Sequence, residues 1–439
     1  MKSKLIVITL LLTVYACSKQ VPSNGGRQNT GISVNSEAVV PDIGKEEEAE
    51  EQYPQQTTPL SGDDFVMDGT VLVEYRGDAE DVTIPAGVTA IGDEAFENRW
   101  RITSINIPES VTSIGAGAFR ECRSLTSVTI PAGVTSIGDR AFESCWRLTS
   151  VTIPSSVASI GERAFEGCRF TSITVPEGVT SIGRRAFSVC ENLTSIVIPS
   201  SVASIGSEAF RNCESLTSIT IGAGVTYIGE NLFNYSRCLT DIEVDIQNRA
   251  YSSVDGVLFN KDKTVLIAYP VGKQEKSYNI PTGVSFIEAY AFIYCRNLPG
   301  ITIPAGVTAI GDRAFYECRS LPSVTIPAGV TAIGHGAFFG CRSLTSVTIP
   351  SSVTSIGYSA FMNCESLTSI IIPAGITSIE MQTFSWCTGL TSAAIPSSVT
   401  SIGVRAFQEC RNLETVTVSR GTTISSDAFH PNTRITYSD

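Results

Sequence analysis

The stretch LTSVTIPAGVTSIGDRAFESCWR, residues 125–147, decides the fold, because the same pattern begins again at Leu148. An Ile-Pro or Val-Pro dipeptide marks one point of each copy, and successive markers are nearly always 23 residues apart. In one copy Gly222 replaces the proline. The marker residues are Ile84, Ile107, Ile130, Ile153, Val175, Ile198, Ile221, Ile280, Ile303, Ile326, Ile349, Ile372 and Ile395. The chain is therefore built from repeats.

Each repeat contains a short strand with one buried side. Along residues 125–130, Val128 and Ile130 alternate with polar residues and are expected to face the interior. Pro131 has no backbone N–H and ends the strand. Residues 141–145, Ala-Phe-Glu-Ser-Cys, are predicted to form a short helical or 3₁₀ segment that closes the far side of the coil.

A fixed period of about 20 to 29 residues with a β-prone run in each unit is typical of a leucine-rich-repeat solenoid. We therefore predict a β-rich repeat solenoid, a curved right-handed coil with a parallel sheet on its concave side. One repeated phenylalanine is predicted to form a column inside it. Its members are Phe96, Phe119, Phe142, Phe165, Phe187, Phe210, Phe233, Phe292, Phe315, Phe338, Phe361, Phe384 and Phe407.

Twelve of the 13 cysteines also recur once per repeat. Stacked coils would place their Cα atoms about 4.8 Å apart, but with parallel side chains that do not face each other as a disulfide requires. We predict a column of buried thiols that act as small apolar residues. The predicted members are Cys122, Cys145, Cys168, Cys190, Cys213, Cys238, Cys295, Cys318, Cys341, Cys364, Cys387 and Cys410.

The remaining cysteine, Cys17, ends an N-terminal segment typical of a secretory signal. Lys2 and Lys4 precede an apolar run over residues 5–14, which is too short to span a membrane. The segment resembles a bacterial lipoprotein signal, which implies that Cys17 is lipidated and that the protein is anchored in the bacterial cell envelope, at the outer membrane or cell surface. The alternative is an ordinary signal peptide in which Cys17 occurs by chance.

The repeat pattern divides the chain into segments. Residues 1–17 are the predicted signal peptide, and the polar, acidic composition of residues 18–60 predicts a disordered tether. The spacing between Ile221 and Ile280 leaves room for an inserted β-hairpin around Asp255-Gly256. The remaining predicted segments are an N-terminal cap at 61–81, a first repeat block at 82–244, the hairpin insertion at 245–280, a second repeat block at 281–418 and a C-terminal cap at 419–439.

The residues that catalysis and metal binding require are sparse. The formal net charge of −12 and the lack of a dense basic patch argue against nucleic-acid binding. The two histidines, His335 and His430, have no nucleophile placed by a known motif, and the cysteines lack the spacing of a zinc site. We expect no enzyme activity, no catalytic residue, no cofactor and no metal.

The repeat Leu-x-Ser-Ile/Val-x-Ile-Pro-x-x-Val-x-x-Ile-Gly-x-x-Ala-Phe-x-x-Cys resembles the BspA-like leucine-rich repeat of bacterial surface proteins. The resemblance covers about residues 65–430. It implies a surface or secreted protein, and in some members an adhesin that binds host matrix proteins such as fibronectin and fibrinogen. Glu288 and Glu380 replace the glycine of the motif in two repeats.

The position after the cysteine holds residue types that bind ligands. Trp100, Arg123 and Trp146 occupy it in consecutive repeats, and Arg296, Arg319 and Arg342 occupy it in three others. We expect Arg123 to lie between the two indoles in a cation–π arrangement. The three stacked arginines form either a cationic stripe for an anionic ligand or, if Glu317 neutralises one of them, a structural feature.

Two kinds of function remain open from the sequence. The first is an adhesin-like binding protein that recognises a host matrix protein or an acidic glycan, with the membrane contacted only through its lipid anchor. The second is a scaffold protein of the envelope that assembles through its regular face. Ice binding by rows such as Ser127 and Thr129 is a weaker alternative, because such residues favour solvent-facing strand positions in general.

Overall fold

The computed structural model describes residues 64–438, and the predicted signal peptide and acidic tether lie outside these residues. The predicted leucine-rich-repeat solenoid is confirmed as a β-solenoid of about 16 turns with parallel sheets. Across the described range there is no α-helix, and hence no helix that could cross a membrane.

The first strand comes from the Ser-Val-Thr run or its equivalent, which forms no strand in the repeat of residues 172–175. These strands are β3 (Asp81–Thr83), β5 (Ser104–Asn106), β7 (Ser127–Thr129), β9 (Ser150–Thr152), β12 (Ser195–Ile198), β14 (Ser218–Ile221), β16 (Asp241–Val244), β20 (Tyr278–Asn279), β22 (Ile301–Thr302), β24 (Ser323–Thr325), β26 (Ser346–Thr348), β28 (Ser369–Ile371), β30 (Ser392–Ala394), β32 (Thr415–Ser419) and β34 (Arg434–Ser438).

A second, two-residue strand, usually Ser-Ile, follows in most repeats. These strands are β4 (Ala90–Ile91), β6 (Ser113–Ile114), β8 (Ser136–Ile137), β10 (Ser159–Ile160), β11 (Ser181–Ile182), β13 (Ser204–Ile205), β15 (Tyr227–Ile228), β21 (Phe286–Ile287), β23 (Ala309–Ile310), β25 (Ala332–Ile333), β27 (Ser355–Ile356), β29 (Ser378–Ile379), β31 (Ser401–Ile402) and β33 (Thr423–Ile424).

The two kinds of strand form separate parallel ladders. The second strands, together with hairpin strands, make the longer sheets, one of nine strands that ends at β15 and one of seven that ends at β27, whereas the first strands make sheets of two to four strands. In the first ladder Ser127 pairs with Ser150 and Val128 with Val151, so each residue meets its counterpart in the next repeat. This register keeps every repeat position in a column, which makes exposed columns candidate binding surfaces.

The predicted helical or 3₁₀ segment after the second strand is wrong. The residues around Phe142 form consecutive turns, in which Arg140 and Ser144 have φ angles of 58° and 61°. Left-handed residues at this spacing interrupt an α-helix. The N–H groups of Arg140, Phe142 and Ser144 instead donate to carbonyls of the next coil, at 2.7, 2.8 and 2.7 Å. The segment therefore ties neighbouring coils together.

Antiparallel hairpins precede both runs of repeats. β1 (Phe65–Asp68) pairs with β2 (Val71–Tyr75), and β17 (Tyr251–Val254) pairs with β18 (Val257–Asn260), which pairs in turn with β19 (Val265–Ala268). β2 and β19 then each continue in parallel with the next repeat. Each hairpin thus presents a strand on which a parallel ladder begins.

Aromatic side chains fill the interior as predicted. The repeated phenylalanines are buried and stack between neighbouring coils, as shown by Phe315 and Phe338, whose ring centroids are 5.0 Å apart. Tyr75 and Tyr269 lie against the first phenylalanine of their respective runs, each at 5.2 Å. Phe429 stacks on Phe407 at the C-terminal end.

The cysteine column is confirmed for eleven cysteines, which are buried free thiols, but the inclusion of Cys238 is wrong. Ser236 lies in the column instead, and its Oγ donates to the Phe210 carbonyl oxygen at 2.7 Å. Column cysteines other than Cys295 make the equivalent bond, as Cys213 does to Phe187 at 3.2 Å. Two residues have been added between Phe233 and the cysteine, so Cys238 falls beyond the column.

Candidate ligand-binding surface

The residue after each member of the cysteine column lies at a corner of the coil. In the repeat of Cys122, the Leu125 N–H donates to the Cys122 carbonyl oxygen at 3.1 Å, and this turn leaves Arg123 exposed. We call the equivalent positions the post-cysteine row. Its members are Trp100, Arg123, Trp146, Arg169, Glu191, Glu214, Arg237, Arg296, Arg319, Arg342, Glu365, Thr388 and Arg411.

Two tryptophans are exposed near the start of the row. Trp100 is 58% exposed and Trp146 is 38% exposed. The Arg123 guanidinium lies 4.6 Å from the Trp146 ring centroid, and Arg101 lies 5.7 Å from that of Trp100. Each indole therefore has its own arginine, and Arg123 also forms an ion pair with Glu121 at 2.9 Å.

The three arginines predicted in the second block lie beside two carboxylates. Glu317 forms ion pairs with Arg296, at 3.5 Å, and with Arg319. Both guanidinium groups contact the same carboxylate oxygen, Oε2. Arg342 pairs with Glu365 at 3.2 Å. The neutralising role considered for Glu317 is thus present, but one carboxylate is shared between two guanidinium groups.

Glu317 is held in place by its surroundings. Its residue is only 7% exposed, and its backbone N–H donates to the Phe339 carbonyl oxygen at 2.7 Å. Gly340, in the next coil, lies directly against the carboxylate: a Cβ on Gly340 would be 2.6 Å from Oε1 of Glu317. The glycine leaves the space in which this carboxylate sits between the arginines.

Arg237 extends this group of arginines and was missed in the sequence. It follows Ser236 of the column, and its coil lies next to that of Arg296, because the rings of Tyr235 and Tyr294 are 4.3 Å apart. Among residues 64–438, no carboxylate forms an ion pair with the exposed Arg237 side chain. The inserted hairpin hides this neighbour in the sequence, whereas counting 23 residues from Cys213 to Ser236 would have found it.

The pKa of Arg296 reflects the closeness of the neighbouring arginines. Burial is the largest cause that lowers the pKa of the Arg296 guanidinium, and repulsion from Arg319 and Arg237 lowers it further. Glu317 acts in the opposite direction. Arginine stays protonated at neutral pH even with a lowered pKa, so the site carries positive charges that one buried carboxylate cannot balance.

The other groups considered for chemistry are engaged in structural contacts. Nδ1 of His335 accepts a hydrogen bond from the Tyr358 N–H at 3.1 Å, and the two rings stack at 3.9 Å. Nδ1 of His430 accepts a bond from the Asn432 N–H at 3.3 Å. In the described part of the chain, His, Cys, Asp and Glu form no group of three suited to a metal ion.

Comparisons with known proteins place these features in a family. The model of the BspA type leucine rich repeat region matches residues 75–169, 135–260, 272–329 and 308–436. A search of curated proteins found no significant match.

Several solved structures are similar to the chain. A leucine-rich repeat protein from Eubacterium ventriosum is 31% identical, with 83% of this chain and 93% of that one covered and a TM-score of 0.66. A leucine rich cell surface protein from Faecalibacterium prausnitzii is 33% identical, with 89% and 96% covered and a TM-score of 0.62. The pneumococcal vaccine antigen PcpA shares the fold at 22% identity, with 88% and 100% covered and a TM-score of 0.62.

Proposed function

The chain belongs to the BspA-type leucine-rich-repeat family, and on this premise we propose that it is a cell-surface binding protein of the adhesin type. Its ligand would be a host matrix protein or an acidic glycan that contacts the exposed columns of the solenoid. The similar protein from Faecalibacterium prausnitzii, described as a cell surface protein, supports this location.

The proposed anchor is a lipid on Cys17. Cys17 follows the apolar run over residues 5–14, as in a bacterial lipoprotein signal, and a lipid there would hold the protein at the outer membrane or cell surface.

The observation that carries the binding proposal is the contrast between interior and exposed columns. Interior positions repeat almost unchanged, because the Phe and Cys columns must pack. The exposed post-cysteine row instead changes from tryptophan and arginine near its start to glutamate at Glu191 and Glu214, and then to arginine. Surface tryptophan and arginine are the residues most enriched where binding energy concentrates.

The alternative, a scaffold that assembles through a regular face, is favoured less by this row. Parallel, in-register assembly through the post-cysteine row would place Arg296, Arg319 and Arg342 of identical copies together. A direct comparison separates the two functions: capture of fibronectin, fibrinogen and acidic glycans by the protein on a surface, beside its solution size by light scattering. Saturable capture by a monomer supports the proposal. Concentration-dependent assembly without capture would contradict it.

A further inference from the structure

We propose that Arg237, Arg296, Arg319 and Arg342, the arginine row, form one site for a linear acidic glycan. The inference rests on the proposed binding function and names its ligand class. It depends on three features of the structure: the continuity of the row across the insertion, its uncompensated charge, and its spacing.

The row is continuous although the sequence is not. Tyr235 and Tyr294 immediately precede column positions in adjacent coils, and their hydroxyl oxygens are 2.5 Å apart. The coils of Arg237 and Arg296 are therefore neighbours, and repulsion between these two residues contributes to the electrostatics of Arg296. The segment after the inserted hairpin lies against the backbone of this coil, where the Gly272 N–H donates to the Leu239 carbonyl oxygen at 2.8 Å, but the Arg237 side chain stays exposed. Four arginines therefore follow one another.

The row carries more positive charge than its surroundings neutralise. Glu317 is shared by Arg296 and Arg319, Glu365 pairs with Arg342, and Arg237 pairs with no carboxylate among residues 64–438. Within ion-pair distance, the four guanidinium groups thus have two carboxylates between them. The buried Nε of Arg296 also lacks a hydrogen-bond partner within that range. An anionic ligand would offset this repulsion on a protein whose formal net charge is −12.

The spacing of the row favours a glycan over an acidic peptide. Successive coils of the second block are about 5 Å apart, as the Phe292–Phe315 and Phe315–Phe338 centroid distances of 4.9 and 5.0 Å show. In an extended peptide the side chains on one face recur every two residues, about 6.6 to 6.8 Å apart, and so lose register with the row. A sulfated linear glycan carries several anionic groups on each disaccharide, so its charges lie closer together along the chain than the same-face side chains of an extended peptide.

Aromatic rings beside the row add a second kind of contact. The Arg296 guanidinium lies 5.3 Å from the Tyr294 ring centroid, and Tyr294 and Tyr235 are both half-buried. Their hydroxyl groups hydrogen-bond to each other and so join the two coils beside the row. Planar guanidinium groups bind sulfate and carboxylate oxygens through two parallel hydrogen bonds.

The test uses the two ends of the row, because substituting Arg296 or Arg319 would remove one of the two ion-pair partners of the buried Glu317 carboxylate. Binding of heparin fragments, hyaluronan fragments and polyglutamate is measured by calorimetry at low and physiological ionic strength. Arg237→Ser should lower the affinity for heparin fragments about threefold to tenfold, and Arg237→Ser/Arg342→Ser should lower it further. Arg411→Ser is the matched control, since Arg411 lies in the same row but pairs with Glu409 at 2.8 Å.

The possible results distinguish a failure of this inference from a failure of the proposed function. The site is supported if the arginine-row variants lose affinity for heparin fragments and Arg411→Ser does not. If hyaluronan fragments bind equally well, the site recognises carboxylate as well as sulfate groups. Unchanged affinity in Arg237→Ser/Arg342→Ser, equal loss in Arg411→Ser, or tighter binding of polyglutamate overturns it. If the wild-type protein captures fibronectin or fibrinogen but no acidic glycan, this inference fails and the proposed function stands; if it captures none of them, both fail.

Discussion

Tyr235 and Tyr294 are 59 residues apart in the sequence, yet their ring centroids lie 4.3 Å apart. This contact joins the coil before the inserted hairpin to the coil after it on the exposed side of the turns. On the interior side, the hairpin strands give the second run of repeats its own start, with Tyr269 against Phe292. The insertion therefore adds a cap-like hairpin without separating the exposed columns.

The phenylalanine column predicts a large cost for removing one ring. Phe315 is fully buried between Phe292 and Phe338. Phe315→Ala should lower the free energy of unfolding by about 3 to 5 kcal/mol, because the lost contacts and the remaining cavity both destabilise. Chemical denaturation measures this, with Tyr437→Ala as the control at a 56% exposed site. Equal stability of Phe315→Ala and wild type would contradict the buried column.

The cysteine column predicts a loss of stability in alkaline solution. Burial raises the pKa of Cys122 and of Cys213 to about 12. The folded state therefore retains protons that the unfolded state releases near pH 8.5, so the stability contribution is complete below that pH and falls as pH rises toward 12. For each such cysteine, the free energy of unfolding should be roughly 1.4 kcal/mol lower at pH 9.5 than at neutral pH.

This pH dependence is measured by urea unfolding from pH 7 to pH 10.5. Cys213→Ser should make the free energy of unfolding fall less steeply with pH above pH 9, because serine does not titrate there. Ser236 shows that a hydroxyl fits the column and bonds to the same type of carbonyl. A slope that is unchanged in Cys213→Ser, or a stability that stays flat to pH 10.5, would show that the thiols are not shielded.

Gly340 is predicted to set the position of the Glu317 carboxylate. Gly340→Ala should destabilise by about 1 to 3 kcal/mol, since φ is +69° and the added Cβ would displace the carboxylate from its arginines. Gly336→Ala is the matched control: its φ is +58°, but the nearest atom to its Cβ would be 3.4 Å away. The difference between the unfolding free energies of the two variants measures the cost of displacing the Glu317 carboxylate. Equal losses would mean that Gly340 serves only the backbone.

Most interior features could be predicted from the sequence because the period makes columns visible. The turns around Phe142 were missed because non-glycine residues such as Arg140 and Ser144 seldom adopt positive φ. A signal was present: glycine replaces Arg140 at Gly117 and Ser144 at Gly167 in other repeats, and both glycines also have positive φ. Arg237 was missed for a different reason, since the insertion changes the spacing that sequence counting relies on.

The proposed anchor predicts a modified mature N-terminus. If Cys17 is lipidated, mass spectrometry of protein purified from its native membrane should find a mature chain that begins at Cys17 and carries acyl chains. Cys17→Ser should release the protein from the membrane fraction, whereas Ser18→Ala should leave it bound. A mature chain that begins at Ser18 or later would contradict the anchor.

The central claim, that the two runs of repeats form one stack across the insertion, is tested most directly by a double-mutant cycle between Tyr235 and Tyr294. Unfolding free energies are measured for wild type, Tyr235→Ala, Tyr294→Ala and the double variant. The stacked rings and their hydroxyl contact predict a coupling free energy of about 0.5 to 1.5 kcal/mol. A coupling of zero, with both single variants folded, would show that the two coils do not meet and would contradict the account.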